Sequence, residues 1–159
     1  MDQYGVKVEW LRVDDCFRVI SKYSDGAPMD VTMPSGIEPF IDKMEEYVPG
    51  SRPQMTKLFD LFQEVLDGIA YITASSGHAD SNVLKEKYPN MLRTGAYPTK
   101  KVFDALKLPL RAQDILSTYW SYLGVDMEHL AFIHYAAMVH KYISRSAYIP
   151  TYTLALIHI

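Results

Sequence analysis

The hydrophobic residues of this chain change their period once, near Pro34, and that change sets the fold class. Up to Met33 they alternate. Val6, Val8 and Trp10 oppose Lys7 and Glu9, and Phe17, Val19 and Tyr23 oppose Arg18 and Lys22. Beyond Pro34 the repeat becomes helical, with Ile37, Phe40, Ile41, Met44 and Val48 on one face before Pro49-Gly50 closes the segment. The expected class is α+β: a small antiparallel sheet in the N-terminal third, followed by a mostly helical region. The boundaries expected are antiparallel strands over 1–33, a helical region over 34–150 and a tail of different character over 151–159.

Within the strand region Asp25-Gly26 tolerates positive φ, which predicts a hairpin of 17–23 with 29–33 and three short antiparallel strands in all. The clearest helix follows Ser51, which has capping-box spacing to Gln54. Met55, Leu58, Phe59, Phe62, Val65, Leu66 and Ile69 form its apolar stripe, and it is expected to reach Ala74. From Ser75 to Pro98 the period lapses around Gly77, Pro89, Gly95 and Pro98, so a long excursion or lid is expected, with one short helical turn over 82–88. Thr99 is expected to cap a short helix through Leu106. Pro109 opens another that ends at Gly124, and Asp126 caps a last helix to Arg145. On that last helix Phe132, Tyr135, Val139, Tyr142 and Ile143 share one side, opposite Leu130, His134 and Lys141.

With 159 residues, of which 48% are hydrophobic and 22% charged, the chain suits one ordinary globular domain. Its formal charge is −3, so it lacks the cationic excess behind most nucleic-acid binding, and the helix pair over 110–145 offers few basic or amide side chains for reading DNA. The single Cys16 forbids an intrachain disulfide and fits a reducing compartment. The longest uncharged stretches fall short of the ~20 residues a helical bilayer crossing needs, so no transmembrane segment is expected.

Several chemistries lack their motifs. The glycines stand at least nine residues apart, so neither G-x-G-x-x-G nor a P-loop can be written and no usual cradle for FAD, NAD or ATP is expected in this chain. No His has another at i+4. His129 and His140, on one face of the expected last helix, would lie about 16 Å apart along its axis, too far to share a metal ion. No metal site is expected. Cys16 sits beside Asp14 and Asp15, which disfavour a thiolate, and Asp14-Asp15 and Glu45-Glu46 read as solvated surface. What remains is the aromatic load, Tyr 12, Phe 6 and Trp 2, alongside eight Met. It suits either core packing or an elongated apolar ligand tunnel.

The order of segments resembles a known family. GVKVEW, DGAPMDVTMP, PFIDKMEEYVPG, MTKLFDLFQEVLDGI and LPLRAQDILSTYWSYLGVDMEHLAFIHYAAMVHKYI before AYIP are similar to phytoene-dehydrogenase-like and retinol-saturase-like FAD oxidoreductases, over roughly residues 4 to 150. The resemblance implies that this stretch is the substrate-binding or cap portion of a longer protein, with FAD held elsewhere and no catalytic or cofactor-binding residue in this chain. The implied ligand is an apolar polyene or isoprenoid, with Phe62, Tyr119, Trp120 and Tyr135 lining its site. The segment 151–159 departs from the family pattern, and the chain is expected to be truncated and inactive alone. A cytoplasmic location is implied, at a membrane surface in the case of the intact family. A cap without its flavin partner would expose apolar surface, which predicts a homo-oligomer built on the last helix, on edge strands or on the uncharged stretch 146–159. Two other readings of the same residues are a stand-alone helical ligand-binding or protein-interaction module without redox activity, and a purely structural helical domain.

Overall fold

The computed structural model of the chain describes residues 9–150, the side chain of Trp120 excepted. Strands β1 (Trp10–Val13), β2 (Asp15–Lys22) and β3 (Pro28–Pro34) are followed by α1 (Ile37–Tyr47) and α2 (Arg52–Ala74). Then come α3 (Ser81–Lys87), α4 (Pro89–Thr94), α5 (Thr99–Ala105), α6 (Leu110–Ser117), α7 (Trp120–Leu123), α8 (Phe132–Arg145) and β4 (Ala147–Pro150). The fold is α+β, with two small antiparallel sheets on a mainly helical body.

The expected hairpin forms, with Phe17 opposite Met33, Val19 opposite Val31 and Ser21 opposite Met29. Gly26 takes φ +85° at its turn, and the Asp25 carboxylate accepts the Ala27 N–H at 2.9 Å. Arg111 of α6 reaches back to Asp25 at 2.8 Å and lies over the Tyr23 ring, docking the hairpin tip on the helical body.

The third strand does not join this sheet. β1 pairs instead with β4, Trp10 opposite Pro150 and Val13 opposite Ala147. Only Asp14 separates β1 from β2, and one residue cannot turn a chain back on itself, because the tightest common hairpins need two. Val6 and Val8, expected in the same strand as Trp10, lie outside the described residues.

α2 is the spine of the core. Its stripe residues Met55, Leu58, Phe62 and Val65 are fully buried, and α1 and α8 pack along it. The expected Ser51 cap is not made: Ser51 is helical in its own dihedrals, and its hydroxyl caps nothing. The Glu45 carboxylate of α1 accepts the Gly50 and Arg52 N–H groups at 2.6 and 2.7 Å instead. Glu45 therefore differs from the solvated acid expected of it, while its neighbour Glu46 pairs with Lys43 at the surface.

Other expectations are corrected as well. The stretch after Ser75 is no lone turn: it folds as α3 and α4, and α4 packs on α2 with Met91 buried. The helix opened by Pro109 breaks after Ser117 and resumes as α7, and the Tyr119 ring in the break packs edge-on against Phe17 of β2, centroids 5.2 Å apart. Finally, α8 starts at Phe132 rather than next to Asp126. The carbonyls of Met127 and Leu130 are taken by the Lys100 and Thr99 N–H groups, both at 2.8 Å, so 127–131 turns against α5 instead of joining the helix. Thr99 is accordingly buried inside this junction, its hydroxyl also on Leu130, and does not cap α5. Leu130, expected on the polar side of the last helix, is buried in the same turn.

Candidate functional site

The site is built on the side of α2 that turns away from the core stripe. Lys57, Leu61 and Glu64 recur there at four- and three-residue steps and so share one face. α4 is held beside that face by Glu64, whose carboxylate accepts the Asn90 N–H at 2.6 Å, the Met91 N–H at 3.2 Å and the Asn90 side-chain amide at 2.8 Å. These contacts satisfy donors that a helix N-terminus otherwise leaves to water. Close approach is permitted by Gly68, where a Cβ would stand 2.3 Å from the Met91 sulfur. α5 closes the third side. Its Val102 and Phe103 are buried in the core, and the Lys101 ammonium lies 4.2 Å from the centre of the Tyr97 ring.

Between α2, α4 and α5 lies an open cleft of about 480 Å³, within the usual range for small-molecule sites. Leu61, Val102, Ala105 and Leu106 form its apolar floor, and Lys57, Arg93, Lys101 and Asp60 stand among the polar groups of its wall. A second cleft of about 630 Å³ lies between the C-terminal halves of α2 and α8, with Gln63, Asp67, Thr73, His140 and Arg145 in its walls. Its His140 ring is buried. Nε2 has no hydrogen-bond partner among the described residues, and burial holds the imidazole below its ordinary pKa.

Of the four aromatics expected to line a site, the structure brings Phe62 and Tyr135 together, with ring centres 5.9 Å apart in the core between α2 and α8. Both are fully buried; Phe62 also meets Phe59 and Phe132, and the Tyr135 hydroxyl donates to the Leu116 carbonyl at 2.9 Å. Burial pushes both the Tyr135 and Tyr119 phenols far above their ordinary range. Tyr119 sits apart from the first pair, against Phe17 and near Tyr122 and Tyr142. Trp120 opens α7. Phe62, Tyr119 and Tyr135 are not among the residues of either cleft, and the Trp120 side chain lies outside the described residues.

Cys16 is half-buried on β2, its thiol pointing at the Tyr142 carbonyl. Burial and then the Asp15 charge raise its pKa, which keeps it a thiol rather than a thiolate. His129 precedes α8, where its ring meets the Asp126 carboxylate at 2.8 Å, so it shares no helix face with His140. His78 and His134 are exposed, and His158 lies outside the described residues. Among the described residues no three metal-ligating side chains cluster, and no helix is long and apolar enough to cross a membrane.

Among the described residues, the strand-to-helix passage lacks the features that hold a flavin dinucleotide. Its pyrophosphate needs a strand running through closely spaced glycines into a helix N-terminus. The described strand-to-helix passage, β3 through Gly36 to α1, has one glycine whose N–H is already donated to the Ile143 carbonyl at 2.6 Å, and Pro39 removes a donor from the first turn. The helix pair α6 and α8, with the break and turn between them, packs its apolar faces into the core. No protein-family model, curated protein or solved structure matches this chain.

The cleft residues were not singled out in the sequence. Lys57 and Leu61 could have been noticed at i, i+4 beside the α2 stripe, but Arg93 and Lys101 come from short segments without a readable period.

Proposed function

We propose that this chain is the substrate-binding portion of an FAD-dependent oxidoreductase related to phytoene dehydrogenase, and that its apolar polyene or isoprenoid ligand lies in the cleft between α2, α4 and α5. The observation that carries this reading is the open cleft with an apolar floor on a helical body whose aromatic core is already filled by its own rings. The segment order over roughly residues 4 to 150 supports the family. The described residues suit a ligand-holding role and not flavin binding, so this portion alone is inactive. A cytoplasmic setting accords with one half-buried free thiol. The protein self-associates through the β1–β4 ribbon, where Trp10, Leu11, Tyr148 and Ile149 are all exposed.

One observation favours a second reading, a stand-alone binding module without redox activity: the cleft is lined by residues between Lys57 and Leu106 of this chain. Fluorescence titration with all-trans-retinol tests the first. Saturable one-to-one binding, with isoprenoid polyenes preferred over straight-chain alcohols of equal length, supports it. Equal binding of both classes favours the general module, and no saturable binding of either overturns the polyene reading. Incubation with FAD followed by dialysis should leave no flavin absorbance on the protein.

A further inference from the structure

The charges around the α2–α4–α5 cleft point to the head group of its ligand. Arg12, Arg18, Arg52 and Arg111 all pair with carboxylates elsewhere on the protein. Arg93 pairs with none among the described residues, nor does Lys57, although Asp60 follows Lys57 by three residues on α2, at a spacing where side chains are neighbours. Lys101 lies over the Tyr97 ring and makes no ion pair among the described residues. Three cations without an ion pair among the described residues thus stand around one apolar floor.

The opposing charge in the same wall is unevenly available. Glu64 already accepts three hydrogen bonds from Asn90 and Met91, and those contacts occupy the α4 N-terminus, so no backbone donors are left there for an anion. Asp60 is exposed and unpaired among the described residues. Set against three cations, two carboxylates leave the wall one positive charge in excess, which a monoanion balances and a polyphosphate exceeds. Arg93 has the planar fork that matches a carboxylate through paired hydrogen bonds. The floor of Leu61, Val102, Ala105 and Leu106 offers nothing to a wholly polar anion.

We infer that the cleft binds an apolar chain ending in a carboxylate, the chain on the floor and the carboxylate among Lys57, Arg93 and Lys101. This rests on the cleft placement proposed above and deepens it: the substrate class becomes an amphipathic acid rather than a neutral hydrocarbon or alcohol.

The test compares all-trans-retinoate, all-trans-retinol and palmitate by titration of the full chain, alongside a variant carrying Lys57→Gln, Arg93→Gln and Lys101→Gln. All three positions are solvent-exposed, so the variant is expected to keep its fold by circular dichroism, and Lys85→Gln with Lys87→Gln on α3 controls for the loss of cationic side chains elsewhere on the surface. Retinoate should bind at least about tenfold more tightly than retinol, the scale of a charge-assisted contact. The cleft variant should abolish that preference, and the α3 variant should keep it. If palmitate binds with the same sensitivity while neither retinoid binds, the acid inference stands and the polyene reading falls. Equal affinity for retinoate and retinol, a preference that survives in the cleft variant, or no carboxylate binding at all would each overturn the inference.

Discussion

The Glu45 carboxylate, two residues before the end of α1, accepts the Arg52 N–H at 2.7 Å, so the first turn of α2 is capped by the helix before it. The same carboxylate takes the Gly50 N–H, and these backbone donors hold Glu45 below its ordinary pKa. A carboxyl depressed on folding contributes stability that is complete above its unfolded pKa, near 4.5, and is lost as pH falls through the lower folded value. Glu45→Ala should therefore melt at a lower temperature than the parent at neutral pH. The gap should narrow at about pH 3, where the parent's carboxyl is protonated as well. Thermal melts at the two pH values check this, and an equal gap at both would count against the cap.

Phe62 is 0% exposed, and its ring is packed between Phe59, Phe132 and Tyr135. Phe62→Ala should cost about 3–5 kcal/mol in chemical denaturation. A loss under about 1 kcal/mol would mean that the ring lines open space, as non-core positions behave.

Tyr135 tests the polar part of the same core. Tyr135→Phe keeps the ring but removes the donor to Leu116, leaving a buried carbonyl short of a partner at a cost of about 1–2 kcal/mol. Tyr142→Phe, at an exposed position, should change stability by less than about 0.5 kcal/mol. Denaturation curves that rank the two the other way would contradict the placement of Tyr135.

Two histidines should titrate in opposite directions. Burial lowers the pKa of His140, whereas the Asp126 carboxylate raises that of His129. For His140 the unfolded chain binds the proton more tightly. Its contribution is complete above about 6.5 and is lost as pH falls through 6.5 toward the folded value. For His129 the sign reverses: the contribution is present below 6.5 and is lost as pH rises through the folded value. Proton NMR of the ring Cε1 hydrogens should place the His140 midpoint below 6.5 and the His129 midpoint above it. Reversed midpoints would disprove the assignment.

The β1–β4 ribbon exposes 53% of Trp10, 56% of Leu11, 55% of Tyr148 and 49% of Ile149, whereas α8 turns its apolar residues Phe132, Val139 and Ile143 inward. Of the surfaces considered for self-association, the ribbon is therefore the more adhesive, since two-stranded sheets leave an unpaired edge on each strand. Light scattering in line with size exclusion should show a dimer or larger species at micromolar concentration, and Leu11→Lys with Ile149→Lys should return it to monomer. An 18.2 kDa parent species unchanged on dilution would refute this.

Elements that carry their own pattern were legible before any tertiary contact was known. The apolar stripe from Met55 to Ile69 specifies α2, Ile37 to Val48 specify α1, and Asp25-Gly26 sets the turn of the β2–β3 hairpin. In each case the information lies within a few residues, because side-chain periodicity and turn dihedrals are local properties. The aromatic residues were ambiguous for the opposite reason. Phe62 and Tyr135 have the same spacing whether they fill a core or line a tunnel, and only the rings from α2, α5 and α8 that close around them decide for packing. Tertiary structure alone decided four further points: that Trp10 pairs with Pro150, that Glu45 replaces Ser51 as cap, that α8 yields its first turn to Thr99 and Lys100, and that Lys57, Arg93 and Lys101 share one cleft. Each joins residues that no local period relates, and the first three satisfy backbone donors or sheet edges that the segment alone would leave to water.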